Sequence, residues 1–339
     1  MSTNSFSSGS GPRAVWMPEL TGKIVAANAW PWHGYIAPGA LTLLTSQWKA
    51  GKTTLVSVLL ERLGTGGMLA GLPVAPGRAV VVSEEAPEMW ARRAERLDFG
   101  RHVCFLCRPF DHKPNAAEWE GLVNELDRLR VEHGLTLAVI DPLAVFLPGR
   151  DENNASAIIT ALMPLRRLTA AGMAVLLLHH PRKQGARDGM RSRGSGALAG
   201  HVDILIEMGW LPEAGPTDRR RRLRAFARFP ETPPEHLIEL NAAGTDYLSL
   251  GDAETEAFGR GWPGLRAVLT EADRRLSRTE ILAAWSPDVE EPTPVTLWRW
   301  LERGVAEGRV HRAGRGTRSD PFCYWLPERA VAWEHGETR

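Results

Sequence analysis

Residues 41–54 read Leu-Thr-Leu-Leu-Thr-Ser-Gln-Trp-Lys-Ala-Gly-Lys-Thr-Thr. An apolar, β-type run breaks into a turn bearing Gly and Lys, and a helical pattern follows over residues 52–63. No other segment restricts the fold as strongly. A turn between a buried strand and a helix points backbone N–H groups and a helix N-terminus at one spot, which is a cradle for phosphate. The template G-x-x-x-x-G-K-[ST] is met at every position except the first, where Ser46 stands. Ser is small enough to occupy that turn. Ser46, Gln47, Trp48, Lys49, Ala50, Gly51, Lys52, Thr53 and Thr54 are therefore the expected nucleotide-binding segment. Gly51 allows close backbone approach. Lys52 is placed to reach the β- and γ-phosphates, and the Thr53 hydroxyl to ligate magnesium. The expected cofactors are ATP and Mg2+.

Apolar β-type segments then alternate with helical ones. Strands are expected at residues 41–45, 78–83, 103–108, 135–141 and 173–178, and helices at 52–63, 88–97, 116–133 and 156–171. Nearly continuous apolar strands alternating with helices imply a mostly parallel sheet covered on both faces, an α/β fold. Shorter β-like segments at 202–208, 221–227, 237–240 and 246–250 are expected to extend it with antiparallel strands. A Ser/Gly-rich leader over 1–14 precedes the main domain, 15–252. Polar, acidic residues near 251–256 mark a boundary before a second domain, 257–339. In that domain the order helix, turn, helix and β-hairpin is that of a winged helix.

Two further strand ends carry acid. Residues 135–141 end in Asp141, an anion at a strand terminus where a magnesium shell needs one. Residues 80–85 end in Glu84 and Glu85. Water attacking a γ-phosphate needs a base or an orienting group; Glu84 is the first choice and Glu85 the second. A solvated acidic loop is the alternative reading of that pair.

As a set, these motifs resemble the RecA/DnaB superfamily, and more narrowly the RepA-type hexameric helicases and the RadA-like ATPases. The resemblance covers roughly residues 30–250. Ser83-Glu84-Glu85 followed by Arg93-Ala94-Glu95-Arg96-Leu97 is similar to the RadA pattern, in which the first Glu is the catalytic carboxylate. Asp141-Pro142-Leu143 looks like the family's Walker B ending. His179-His180-Pro181-Arg182-Lys183 is similar to its His-His-x-x-Lys, implying that His180 senses the γ-phosphate. Residues 193–200 resemble the family's Arg-Gly-Ser-Ser-Ala-Leu block. Arg228 falls where the family carries a finger that reaches a neighbouring subunit's ATP. The resemblance implies a RecA-like core, a homo-oligomer in the form of a hexameric ring, and single-stranded DNA in its channel. Two departures stand out: Ser46 for Gly, and no recognisable primase-binding domain.

Arg182, Lys183, Arg187, Arg191 and Arg193 lie in a Gly-containing stretch with one acid, Asp188. Phosphate contact with single-stranded DNA is one reading, and a solvated surface loop the other. Arg219–Arg222 and Arg224 form a second basic run, read as a solvated hairpin edge. From 299 to 318 there are six Arg against two Glu, including Arg299, Arg303, Arg312 and Arg315. That suits duplex phosphates, with a protein-contact role as the alternative. Trp298 and Trp300 cannot both face one core from a single helix.

The net charge of +1 excludes a globally basic nucleic-acid binder, so any such surface is local. Cys104 and Cys107 form a C-x-x-C without a second ligand pair and read as strand residues rather than a zinc site. Three cysteines in all fit a reducing cytosol. No apolar run reaches the ~20 residues a membrane span needs, and a cytoplasmic location is expected. Three functions compete: an ATP-driven motor on DNA with helicase-like or remodelling activity, an ATP-switched DNA-binding regulator, and a recombination or repair mediator.

Overall fold

A computed structural model describes residues 30–148, 155–180, 196–211, 215, 217–289, 291–317 and 320–329. The chain divides into two compact units, Met1–Ser249 and Leu250–Arg339.

In the first unit the strands are β1 (Leu41–Ser46), β2 (Gly67–Leu69), β3 (Leu72–Val74), β4 (Ala79–Ser83), β5 (Val103–Cys107), β6 (Leu137–Asp141), β7 (Ala174–His179), β8 (Ile204–Gly209), β9 (Arg220–Ala227), β10 (Glu235–Leu240) and β11 (Tyr247–Gly251). The helices are α1 (Lys52–Arg62), α2 (Pro87–Ala94), α3 (Ala116–His133), α4 (Leu143–Phe146), α5 (Ala155–Leu162), α6 (Leu165–Ala170) and α7 (Gly196–His201). Nine strands form one sheet in the order β11-β10-β9-β8-β1-β7-β6-β4-β5. The run from β8 to β5 is parallel, and β9 and β10 are antiparallel. This is an α/β core, a mostly parallel sheet with an antiparallel extension. One strand corrects the expectation: β8 was placed in that extension but runs parallel beside β1.

Both faces of the sheet are apolar because both are covered. On β4, Ala79 and Val81 join one core while Val80 and Val82 join the other, and β6 alternates likewise with Leu137 and Val139 against Ala138 and Ile140. The first core takes Leu55, Val56, Val58, Leu59 and Leu60 from α1. The second takes Trp119, Leu122, Val123, Leu126 and Leu129 from α3. Helix α3 begins at a capping box: the Glu118 amide donates to Asn115 Oδ1 at 3.0 Å and the Asn115 amide to Glu118 Oε2 at 2.8 Å. The single helix expected over 156–171 is interrupted after Leu162. Pro164 lacks the N–H that would continue the ladder, and α6 restarts behind it. Cys104 and Cys107 sit three apart on β5, so they point to opposite faces; Cys104 packs on the second core and Cys107 on the first.

The second unit contains α8 (Ala253–Glu271), β12 (Leu276–Ser277), α9 (Arg278–Ala283), α10 (Pro294–Ala306), β13 (His311–Ala313) and β14 (Cys323–Trp325). Its small antiparallel sheet has the order β12-β14-β13. Phe258, Leu265, Leu269, Ile281, Leu297, Leu301, Val310 and Tyr324 form its own core. Trp300 is buried in it, and Trp298 is 45% exposed.

The topology decides where chemistry can gather. Neighbouring parallel strands β1, β7, β6 and β4 end in Ser46, His179, Asp141 and Ser83. Ser83 pairs in register with Asp141, and Thr45 with His179. Ligands of open α/β sheets bind outside this carboxyl edge.

Candidate functional site

Helix α1 starts where the loop after β1 turns back. Lys49 and Gly51 have positive φ, 61° and 101°, and Gly51 is the residue directly before the helix. At 101°, φ is a value that a side-chain-bearing residue seldom adopts, so Gly51 is required by the backbone. Ser46 is not: it ends β1 in extended conformation, and its φ is not positive. The departure from Gly at the first position therefore causes no backbone strain.

Lys52 is buried, at 4% exposure. Its Nζ donates to Ser46 Oγ at 2.8 Å and to Ser46 O at 3.3 Å, and lies 3.0 Å from His180 Nδ1. With an ammonium donating, Nδ1 is the accepting nitrogen. Burial pushes the lysine down to about 8, partly offset by the Asp141 carboxylate. Burial and Lys52 push His180 down to about 4, so the imidazole is neutral beside the lysine.

The next residue faces the opposite strand end. Thr53 Oγ1 donates to Asp141 Oδ2 at 2.9 Å. Asp141 is 7% exposed, and burial raises its pKa while the Thr53 hydrogen bond opposes the rise. A hydroxyl and a carboxylate so close together are hard oxygen donors, the set that suits Mg2+. Thr53 and Asp141 fit that ion and would hold it.

Glu84 and Glu85 are separated by their surroundings. Glu85 is tied to Arg93 on α2: Nη2 donates to Oε1 at 3.0 Å, and Nη1 bonds the other oxygen. Arg93 also lies over the Trp90 ring at 4.6 Å, and Trp90 Nε1 donates to Ser83 Oγ at 3.0 Å. For Glu84 the backbone is what is fixed. Its N–H donates to Asp141 O at 3.1 Å, and Arg108 Nε donates to its carbonyl at 3.1 Å. Among the described residues no cation pairs with the Glu84 carboxylate. Partial burial and the neighbouring Asp141 and Glu85 raise its pKa, the direction that favours accepting a proton. Geometry thus separates a free carboxylate from a clamped one.

Gln47, Trp48 and Lys49 are exposed, Ala50 is buried, and Thr54 is half-buried in the first turn of α1. Trp48 is 75% exposed, with its ring edge-on to His180 at 5.9 Å. Arg228 follows β9, away from the loop; it is exposed, with Nη1 3.3 Å from Asp203 Oδ1. Asp203 also accepts from the Leu41 amide at 2.9 Å. Arg182, Lys183, Arg187, Arg191 and Arg193 lie outside the described residues, as does the leader. In the second unit Arg303 is committed internally, with Nε on Glu307 at 2.7 Å and Nη1 on Thr255 at 2.8 Å. Arg312 pairs with Glu302 at 2.6 Å. Arg299 is exposed, and Arg315 reaches Asp320 only at 4.0 Å.

Three contributors were not legible in the motif. Arg93 clamps Glu85, and the Ser46 hydroxyl binds Lys52. Arg221 on β9 donates from Nε to Ala50 O at 2.7 Å while stacking 3.4 Å above the Trp210 ring, which pins the phosphate loop from the antiparallel extension. The basic run read as a solvated edge therefore contains one residue engaged with the loop. Arg93 had a local signal in its place one helical face beyond Glu85; Arg221, distant in sequence, had none.

The sequence profile of the AAA domain family matches residues 11–186. No curated protein matches the sequence. Among solved structures, the flagellar accessory protein FlaH from Methanocaldococcus jannaschii is similar at 10% identity and a TM-score of 0.45, over 63% of this chain and 90% of that one.

Proposed function

The chain belongs to the AAA domain family, and from that premise we infer that it is an Mg2+-dependent ATPase acting as a motor on DNA. The observation that carries the ATPase part is the convergence of Lys52, the Thr53–Asp141 pair and the unpaired Glu84 at one sheet edge. In this reading backbone amides of residues 47–52 and the start of α1 hold the phosphates, and Lys52 binds the β- and γ-oxygens. Magnesium, which Thr53 and Asp141 would hold, would supply charge neutralisation. Glu84 orients the attacking water in line with the γ-phosphate and accepts its proton. His180, neutral and beside Lys52, donates to a γ-oxygen. Arg93 keeps Glu85 from competing for the water.

The DNA part rests on the basic residues at 182–193 in the sequence, on Arg299, which is exposed, and on Arg315, which is 88% exposed with Asp320 4.0 Å away. Phosphate contacts by such residues are independent of base sequence and weaken with salt. A homo-oligomeric ring, hexameric by the resemblance to RepA-type helicases, would bring Arg228 to a neighbour's nucleotide. No helix among the described residues is long and apolar enough to cross a membrane; a cytoplasmic location fits this reading.

One observation favours a second reading, an ATP-switched regulator without unwinding activity. Val295, at 58% exposure, and Trp298 lie on one exposed face of α10 with Arg299, and the Arg303 and Arg312 charges are met by Glu307 and Glu302. Such a winged-helix-like face suits a protein contact better than bare phosphates. The steady-state ATPase rate with and without single-stranded DNA separates the readings. The motor requires strong stimulation, which 0.5 M salt removes; ATP turnover indifferent to DNA supports the regulator. If stimulation is found, unwinding of a forked duplex separates a helicase from a recombination mediator.

A further inference from the structure

The ammonium of Lys52 has three N–H donors and no more. All three face acceptors supplied by the chain: Ser46 Oγ at 2.8 Å, His180 Nδ1 at 3.0 Å and Ser46 O at 3.3 Å. A phosphate oxygen can bind this lysine only by displacing one of them. Two of the three do not depend on the side chain at position 46: a carbonyl belongs to any residue there, and His180 follows β7, a separate strand. The Ser46 hydroxyl is the addition, and it gives the shortest of the three contacts. It is also well set to accept. Its own hydrogen goes to Gln47 O at 2.9 Å, which turns its lone pairs towards Nζ, and Ser46 is buried at 4% exposure, where a hydrogen bond to a cation is strong. Backbone conformation gives no reason for or against Ser here, because φ at this position is not positive. What distinguishes Ser46 from the Gly of the motif is chemical rather than conformational.

We propose that Ser46 is a positioning residue that sets nucleotide affinity by competing, through its hydroxyl, with the β- and γ-phosphates for the Lys52 ammonium. The inference rests on the ATPase reading of the site. The competition is between a neutral acceptor and an anionic one, so phosphate wins when nucleotide is abundant, and the cost appears as a weaker Kd and a higher KM. Once phosphate holds the lysine the hydroxyl has left the contact, so turnover of the bound complex is little affected. ATP and ADP both present a β-phosphate, so both feel the competition.

The test is calorimetric binding of ADP and of a non-hydrolysable ATP analogue to the full chain, with steady-state kinetics, for wild type, Ser46→Ala, Ser46→Gly and Ser46→Thr. Ser46→Ala removes the hydroxyl alone. Ser46→Ala and Ser46→Gly are expected to bind roughly tenfold tighter, the scale of one hydrogen bond to a charged group, with KM lowered and kcat within about twofold. Ser46→Thr, which keeps the hydroxyl, is expected to bind like wild type. A purely structural role would instead weaken binding in all three variants or lower kcat. Unchanged or weaker binding in Ser46→Ala, with wild type binding normally, overturns the proposal and leaves the ATPase reading standing. Failure of wild type itself to bind either nucleotide overturns both.

Discussion

Replacing Lys52 by Ala is expected to lower ATP turnover by at least about 10²–10³-fold, the loss typical of removing one preorganised donor from developing transition-state charge. The argument comes from the lysine's surroundings. It is 4% exposed, and burial has pushed its pKa down to about 8, so the chain holds a cation where solvation disfavours one. A buried ammonium is costly unless something anionic uses it. Asp141 is the nearby carboxylate, and its hydrogen bond goes to Thr53 instead. The phosphates are the natural anionic partner. The loss should appear in binding as well as in kcat, because Lys52 meets the β-phosphate in the ground state and the γ-phosphate in the transition state. Alanine also leaves Ser46 Oγ and His180 Nδ1 without their shared donor, so a thermal melt should accompany the kinetics. A native-like melt with lost turnover is the expected pair of results.

Glu84→Gln should behave differently. It is expected to reduce kcat by about 10²–10⁴-fold, the range for a positioned proton acceptor, while ATP affinity changes little. Glutamine keeps the shape and removes the basicity. The Glu84 backbone is held by Asp141 O and Arg108 Nε, so the substitution leaves the strand end in place. Glu85→Gln is the matched control. Its carboxylate is engaged with Arg93, so its loss should cost far less activity, mainly through a loosened α2. Single-turnover rates at saturating ATP make the comparison independent of binding. Equal losses in the two variants, or a larger loss for Glu85→Gln, would reverse the assignment of the base.

What the sequence disclosed divides along physical lines. Lys52, Thr53 and Asp141 were legible because the loop's needs are local: Gly at a φ of 101°, a lysine and a hydroxyl in the first helical turn, and an acid at the end of an apolar strand. The parallel direction of the core strands followed from the strand-helix alternation, but their order, which pairs β6 with β4 and sets Glu84 beside Asp141, did not. The direction of β8 did not follow. An apolar run reads the same in either direction, and only the connection before it decides. The β2–β3 hairpin escaped notice for another reason. Its two-residue turn places Ala70 and Gly71 at φ 49° and 74°, and an Ala in a left-handed position carries none of the Asn or Asp signal by which such turns are recognised. Pro164 did carry its signal, and the helix expected over 156–171 stops for it. The sequence already ranked Glu84 ahead of Glu85, but the contact that sets their surroundings apart, Arg93 on Glu85, appears only in three dimensions. The hold of Arg221 on Ala50 spans 171 positions and belongs to the tertiary fold alone.

The central claim, that this sheet edge binds and hydrolyses ATP with magnesium held by Thr53 and Asp141, is tested most directly by phosphate release from ATP by the purified wild-type chain, with Mg2+ present and with Mg2+ removed by chelation. The account predicts steady turnover with Mg2+ that falls to background on chelation and returns when the ion is restored. Turnover that is absent with Mg2+, or unchanged without it, would contradict the account.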